Sequence, residues 1–205
     1  MTTLPLLAHG ISHLTDARYF AAWHPDYLCF PVGPGGIAPD YFTAIREWVE
    51  GPICVAELST EASEESIQAT IDIPNLTHVM LDYGTDSSFL TQRSLQPITR
   101  LPVAGYHAVL DVADRLAEVP DPVVLDFTDG SITWSDLVEG YPFSVGLLKE
   151  LIGERKVYVR IDLTPDEVAE ARDMVYGLAL RGSSEEKVGY KSFDDIDSIL
   201  EVLEL

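Results

Sequence analysis

Eight short apolar runs, each followed by a segment of helical period, constrain this chain more than any other feature. They cover residues 4–11, 27–30, 53–58, 78–81, 101–106, 123–127, 156–161 and 175–180. Their starts mostly fall about 20–30 residues apart, the spacing of repeated strand–helix units. The helical segments carry their own signals. Thr164-Pro165-Asp166-Glu167 is a capping box with proline at the first helical position. After it, Val168, Ala171 and Val175 share one face. Phe193, Ile196, Ile199, Leu200 and Leu203 form a stripe at helical spacing, and Asp194, Asp195, Asp197 and Glu201 take much of the remainder. Val109, Val112, Ala113 and Leu116 repeat the pattern, as do Phe42, Ile45 and Val49.

Eight such units on 205 residues predict an α/β fold, a closed (β/α)8 TIM barrel in one compact domain spanning residues 1–205. The competing open, doubly wound sheet expects a Gly-x-Gly-x-x-Gly turn after a strand, and none is present. Val32-Gly33-Pro34-Gly35-Gly36 is rich in glycine, but Pro34 has no amide to turn toward a phosphate, so it reads as a plain turn. The fourth unit is the weakest, with room for barely two turns of helix at residues 87–93.

Charge narrows the partners. Thirteen Lys and Arg against 34 Asp and Glu give a net charge of −21. That field repels phosphate backbones and anionic lipid, so neither nucleic acid nor a membrane is expected as a partner. No apolar run approaches the ~20 residues of a spanning helix, and the first residues lack the features of a signal peptide. A cytoplasmic location is the expectation. Cys29 and Cys54 both sit in apolar segments and are expected as reduced core residues. Trp48 is expected to pack from its helical stretch, and Trp134 to shield the loop after the sixth strand.

Barrel active sites lie at the carboxyl ends of the strands. The polar residues predicted there are His9, Glu57, Asp82, His107, Asp126, Arg160 and Asp162, with Arg181-Gly182-Ser183-Ser184 leaving the eighth strand. His9 and Asp126 each close an apolar run, and an imidazole and a carboxylate at one mouth suit proton transfer as base and acid. Taken singly, each is also explained as a hydrogen-bonded core histidine or a turn-capping aspartate. Glu57, Asp82, Asp126 and Asp162 could ring a cation, but no metal-ligand spacing supports it, and capping or solvated acids are the simpler reading. Arg181, Gly182 and Ser183, with Lys191 nearby in sequence, could cradle a phosphate; a plain loop explains them equally well.

Several short motifs, in order, resemble the phosphoribosylanthranilate isomerase family of tryptophan biosynthesis. Ala8-His9-Gly10-Ile11-Ser12 resembles the family's opening Ile-Cys-Gly-Ile-Thr, and Asp16-Ala17-Arg18 its first-helix Asp-Ala. Leu28-Cys29-Phe30 is similar to its second strand, Val79-Met80-Leu81-Asp82 to Val-Gln-Leu-His, and Val124-Leu125-Asp126 to Leu-Leu-Asp. Leu163-Thr164-Pro165-Asp166 resembles Leu-Thr-Pro-Glu, and Val188-Gly189-Tyr190-Lys191 the late Gly-Val-Lys. The resemblance implies a (β/α)8 barrel that performs an Amadori rearrangement of a phosphoribosylated aromatic amine without a cofactor. It implies Asp126 as general acid and His9 in the place of the cysteine base. It further implies a sugar phosphate bound through Arg181, Gly182, Ser183, Asp82 and Arg160, and a homodimer as a partner state.

Several of the family's substrate-binding residues are replaced. Leu7 stands where the family has lysine, residues 33–38 hold no arginine, and Ile161-Asp162 stands for the seventh-strand Gly-Gly. Only Gly182 remains of the eighth-strand Ser-Ser-Gly. Taking away one charged partner of a substrate typically costs about 2–5 kcal/mol of binding. The alternative implied is therefore an inactive barrel kept for binding a ligand or partner.

Overall fold

The alternation becomes a closed barrel. The computed structural model describes residues 4–59, 62–182, 185–187, 190–191 and 193–204. In it, β1 (Leu6–His9), β2 (Tyr27–Pro31), β3 (Ile53–Glu57), β4 (His78–Asp82), β5 (Gln96–Pro102), β6 (Val123–Asp126), β7 (Val157–Arg160) and β8 (Gly177–Arg181) close in chain order. Helices α1 (Leu14–Ala21), α2 (Pro39–Arg46), α3 (Glu64–Ile71), α4 (Ser88–Arg93) and α5 (Val109–Ala117) fill the first five connections. Two helices, α6 (Trp134–Glu139) and α7 (Val145–Ile152), lie between β6 and β7, and α8 (Pro165–Ala171) leads to β8. Beyond it come a short antiparallel pair, β9 (Glu185–Lys187) with β10 (Tyr190–Lys191), and α9 (Asp194–Glu204). Among the described residues no helix is long and apolar enough to cross a membrane.

The chain resolves into two compact units. One holds Leu6–Arg100 and Leu180–Gly182. Its core stacks Leu7, Leu28, Phe30, Val55, Val79 and Ile98 from the strands against Phe42 and Ile45 of α2, all buried. Phe30 and Phe42 meet edge to face with ring centres 5.1 Å apart. The other unit holds Leu101–Ala179 with residues 1–5 and 183–205. Its core is Leu125, Phe127, Val157, Tyr158 and Val159 beneath Trp134, Leu137, Leu148 and Val168. Each such buried side chain contributes about 1.5–3 kcal/mol relative to exposure.

Helix boundaries follow the sequence signals closely where a cap exists. Thr164 Oγ1 accepts from the Glu167 amide, and Glu167 Oε2 accepts from the Thr164 amide at 2.8 Å. The same reciprocal pair, Thr133 with Asp136, starts α6, which ends at Gly140 in the left-handed conformation, φ 94°. The stripe on α9 buries Leu200 and Leu203.

Two expectations are corrected. The fifth strand runs from Gln96 to Pro102 instead of residues 101–106. The apolar run begins only at Leu101, because Gln96, Thr99 and Arg100 before it are polar. The Gln96 amide bonds to Thr77 O, and parallel pairing with β4 then runs in register from His78↔Gln96 to Asp82↔Arg100. Trp48 does not pack from a helix: α2 stops at Arg46, and Trp48 is 68% exposed. The Arg46 guanidinium turns away to donate to Pro74 O and Asn75 O.

Candidate active site at the strand ends

His9 is the last residue of β1 and is buried. Its carbonyl accepts the Gly182 amide at 2.8 Å, which ties the end of β8 to the end of β1. The next residue, Gly10, turns at φ +68°, and its amide donates to Glu57 Oε1 at 2.7 Å. A Cβ at Gly10 would stand 3.9 Å from Arg181 Cγ, so the exposed Arg181 carries its stem past this turn. His9, Gly10, Glu57, Arg181 and Gly182 thus gather around one backbone turn.

Gly182 earns its place by close approach, since a Cβ there would lie 3.3 Å from both Gly10 O and Ile11 Cδ1. Its amide is spent on His9 O and is not offered to a phosphate. Ser183 and Ser184 lie outside the described residues.

Asp126, the last residue of β6, is fully buried. Oδ2 accepts from Arg160 Nη1 at 2.5 Å, while Oδ1 accepts from the Thr128 amide at 3.0 Å and Thr128 Oγ1 at 2.7 Å. Both oxygens therefore face donors. Arg160 is the in-register partner of Asp126 on β7, and its side chain is 13% exposed. Burial makes this pair interdependent, because either charge alone would be stranded away from water.

The same device appears between β4 and β5. Asp82 and Arg100 are in register, and Arg100 Nε donates to Asp82 Oδ1 at 2.6 Å. This pair is more open, with side chains 23% and 31% exposed, and it lines a cavity of about 390 Å³. Glu57, Ser59, Met80, Leu81 and the turn around Gly35 and Gly36 complete the lining. In that turn Gly33 donates to Ile37 O, Gly36 to Gly33 O and Ile37 to Pro31 O, so these amides close the turn itself. It is the plain turn that its proline implied.

The remaining candidates have structural surroundings. His107 follows β5 in a loop and does not end the strand. Its Nδ1 accepts the Ala104 amide at 3.0 Å, and Arg115 Nη1 stands 3.1 Å from Nε2. Burial and the Arg115 charge hold its pKa below the ordinary value, with Asp111 pulling the other way. Asp162 is exposed beyond β7. No three His, Cys, Asp or Glu among the described residues are grouped to hold a metal ion. Cys29 is buried, its thiol pushed up by burial, then by Glu57 and Cys54. Cys54 is pushed up to about 11 by burial, against the pull of Arg46. Neither is a nucleophile at neutral pH. Trp134 is 2% exposed and donates through Nε1 to Glu170 Oε2 at 3.3 Å, a packing role. The in-register Asp–Arg pairs were the feature missed in the sequence, although an aspartate ending one strand and an arginine in the next are both visible there.

No family model matches this sequence, and no curated protein matches it. Solved structures do. The phosphoribosylanthranilate isomerase of Thermus thermophilus superposes with a TM-score of 0.72 at 22% identity, covering 98% of each chain. An isomerase of the same name, in complex with reduced 1-(o-carboxyphenylamino)-1-deoxyribulose 5-phosphate, gives 0.69 at 19%, again over 98% of each. Monomers of the dimeric isomerase from Thermotoga maritima give 0.67 at 21%, with the same coverage. The chain has the (β/α)8 fold of these phosphoribosylanthranilate isomerases, written in a sequence little like theirs.

Proposed function

We propose that this chain is a divergent phosphoribosylanthranilate isomerase, an intramolecular aldose–ketose isomerase of tryptophan biosynthesis in which His9 is the base. The observation that carries the reading is the buried imidazole at the end of β1, fixed at its backbone by Gly182, in a barrel of this fold. A ring-opened phosphoribosyl amine is an imine with an acidic proton on the neighbouring carbon. His9 takes that proton, the electrons shift to the imine nitrogen in its protonated form, and the resulting enol becomes the ketone as its hydroxyl loses a proton and the former imine carbon gains one. Ring opening needs a proton on the ring oxygen, and Asp126 is the residue in the acid's sequence position. Both its oxygens accept from Arg160 and Thr128, so it must take up a proton in place of one of these donors before it can deliver one. The exposed Arg181 supplies a cation for the phosphate. A cytoplasmic homodimer goes with this reading, as the Thermotoga maritima isomerase is dimeric.

The test is turnover of phosphoribosylanthranilate, followed by loss of its fluorescence, in wild type, His9→Ala and Asp126→Asn. Turnover abolished in His9→Ala supports the reading, and wild type no faster than buffer refutes it. A second reading, an inactive barrel that binds a ligand or partner, is favoured by the full engagement of Asp126 and of the Gly182 amide. Ligand binding that survives His9→Ala, without turnover, selects it. Light scattering coupled to gel filtration decides the oligomeric state.

A further inference from the structure

We infer that the exposed apolar patch built by Tyr106, Leu110, Val138 and Tyr141 is a docking surface for a basic polypeptide segment, one that carries apolar side chains between arginines. The inference stands apart from the isomerase reading and needs none of its chemistry.

The patch belongs to the unit that holds Leu101–Ala179. Tyr106 follows β5 and is 85% exposed, and Leu110, in the first turn of α5, is 72% exposed. Val138 on α6 and Tyr141 just past its end are exposed as well. Apolar residues scattered singly are ordinary on a protein surface, whereas a contiguous group marks an interaction site. Contiguity here runs through Gly105. A Cβ there would run into Tyr141 Oη, so the end of α6 reaches across to the residue before Tyr106. Both rings also have fixed surroundings. The Tyr141 amide donates to Asp136 O at 2.7 Å. The Tyr106 ring meets the buried His107 ring edge to face, centres 4.5 Å apart, and His107 Nδ1 accepts the Ala104 amide. Aromatic anchors placed in advance lose little freedom when a partner arrives.

Charge selects the occupant. Asp111 adjoins Leu110, Asp114 lies one helical turn beyond it on α5, and Glu139 adjoins Val138; all three are exposed. Arg115 is the sole Lys or Arg in residues 104–141, and its Nη1 stands 3.1 Å from His107 Nε2. A second copy of the chain would set these acids against acids, between molecules that each carry −21. A phosphate-bearing surface meets the same repulsion. A guanidinium pairs with the carboxylates and stacks on a tyrosine face. The apolar side chains between the acids call for apolar partners, which a purely cationic chain lacks. Four side chains fall short of a domain-sized interface of about 800 Å² on each partner, so the fit is to a short segment.

The experiment is an amide chemical-shift titration of the labelled full chain with a synthetic peptide repeating Leu-Arg-Arg, in parallel with oligoarginine and with a Leu-Glu-Glu repeat. The expected result is saturable shifts at Tyr106, Leu110, Val138 and Tyr141 with the Leu-Arg-Arg repeat. Oligoarginine should bind there about tenfold or more weaker, and the Leu-Glu-Glu repeat should not bind. Tyr106→Ser and Leu110→Ser should each weaken binding about fivefold or more, the loss of a central contact. Both side chains lie in solvent, so the fold survives these changes. Asp114→Asn and added NaCl should weaken binding too. Trp48→Ser, at an exposed ring of the other unit, should leave it unchanged. No saturable shifts at the four amides, oligoarginine as tight as the mixed repeat, indifference to Tyr106→Ser and Leu110→Ser, or an equal loss with Trp48→Ser would each overturn the inference. Shifts at the same amides that grow with protein concentration alone would assign the patch to a second copy and overturn it as well.

Discussion

Replacing Arg160 by methionine isolates the role of the buried ion pair. Methionine keeps most of the apolar stem, so the change removes a charge more than it opens a hole. What it leaves is Asp126 with no exposed surface, still bonded to the Thr128 amide and hydroxyl but without the guanidinium at 2.5 Å. Breaking one side of a buried pair costs about 3–5 kcal/mol. For a chain of this length each kcal/mol moves the melting temperature by about 2–4 °C, so a drop of roughly 6–20 °C is expected. Asp126→Leu should also destabilise, because it strands a guanidinium that is only 13% exposed. The double variant Asp126→Leu/Arg160→Met should be well above the sum of the two losses, by about 2–3 kcal/mol of coupling. Urea denaturation of the four proteins measures the cycle. A single-variant loss below about 1 kcal/mol, or strict additivity, would show that the pair is not the interdependent unit its burial implies.

Acidification offers a second check. Burial lowers the pKa of His78, and burial with Arg115 lowers that of His107. The unfolded chain then binds more protons, so stability should fall as the pH drops through about 6.5 toward the lower folded values. His107→Gln should flatten the change in urea midpoint between pH 7.5 and 5.5; an unchanged slope would remove His107 from the account. Two glycines should behave in opposite ways. Gly36→Ala forces Cβ to 2.1 Å from a backbone oxygen and should destabilise by about 1–3 kcal/mol, whereas Gly105→Ala meets only the exposed tip of Tyr141 and should be nearly neutral by thermal melt. Both thiols should resist a disulfide reagent at pH 8 and react only after urea is added; rapid native labelling of Cys54 would contradict its raised pKa of about 11.

The barrel was legible because its signals are local. An apolar run reads as a strand, and Thr164 with Glu167 starts a helix wherever they occur. The fifth strand was placed too late because polar Gln96, Thr99 and Arg100 interrupt the apolar signal over its first part. The strand-end residues His9, Asp82, Asp126 and Arg160 were found in the same way, by where each apolar run stops. Their partners were not. That Arg160 engages Asp126, or that Gly182 gives its amide to His9 O, depends on which strands are neighbours and at what level they meet. The cavity was equally hidden, being assembled from four strand ends far apart in the chain.

The repeated Asp–Arg rung has a bearing on how the chain finds its alignment. Sliding β5 by one residue against β4 would set Asp82 opposite Thr99 or Leu101 in place of Arg100. A like slip of β7 would set the carboxylate of β6 against Val159 or Ile161. Apolar runs of Val, Leu and Ile tolerate such slippage poorly only where inward and outward faces differ. A charge buried opposite a methyl group is punished whichever face it takes. These two rungs therefore add to the cost of a misaligned pairing a term that greasy side chains alone do not supply.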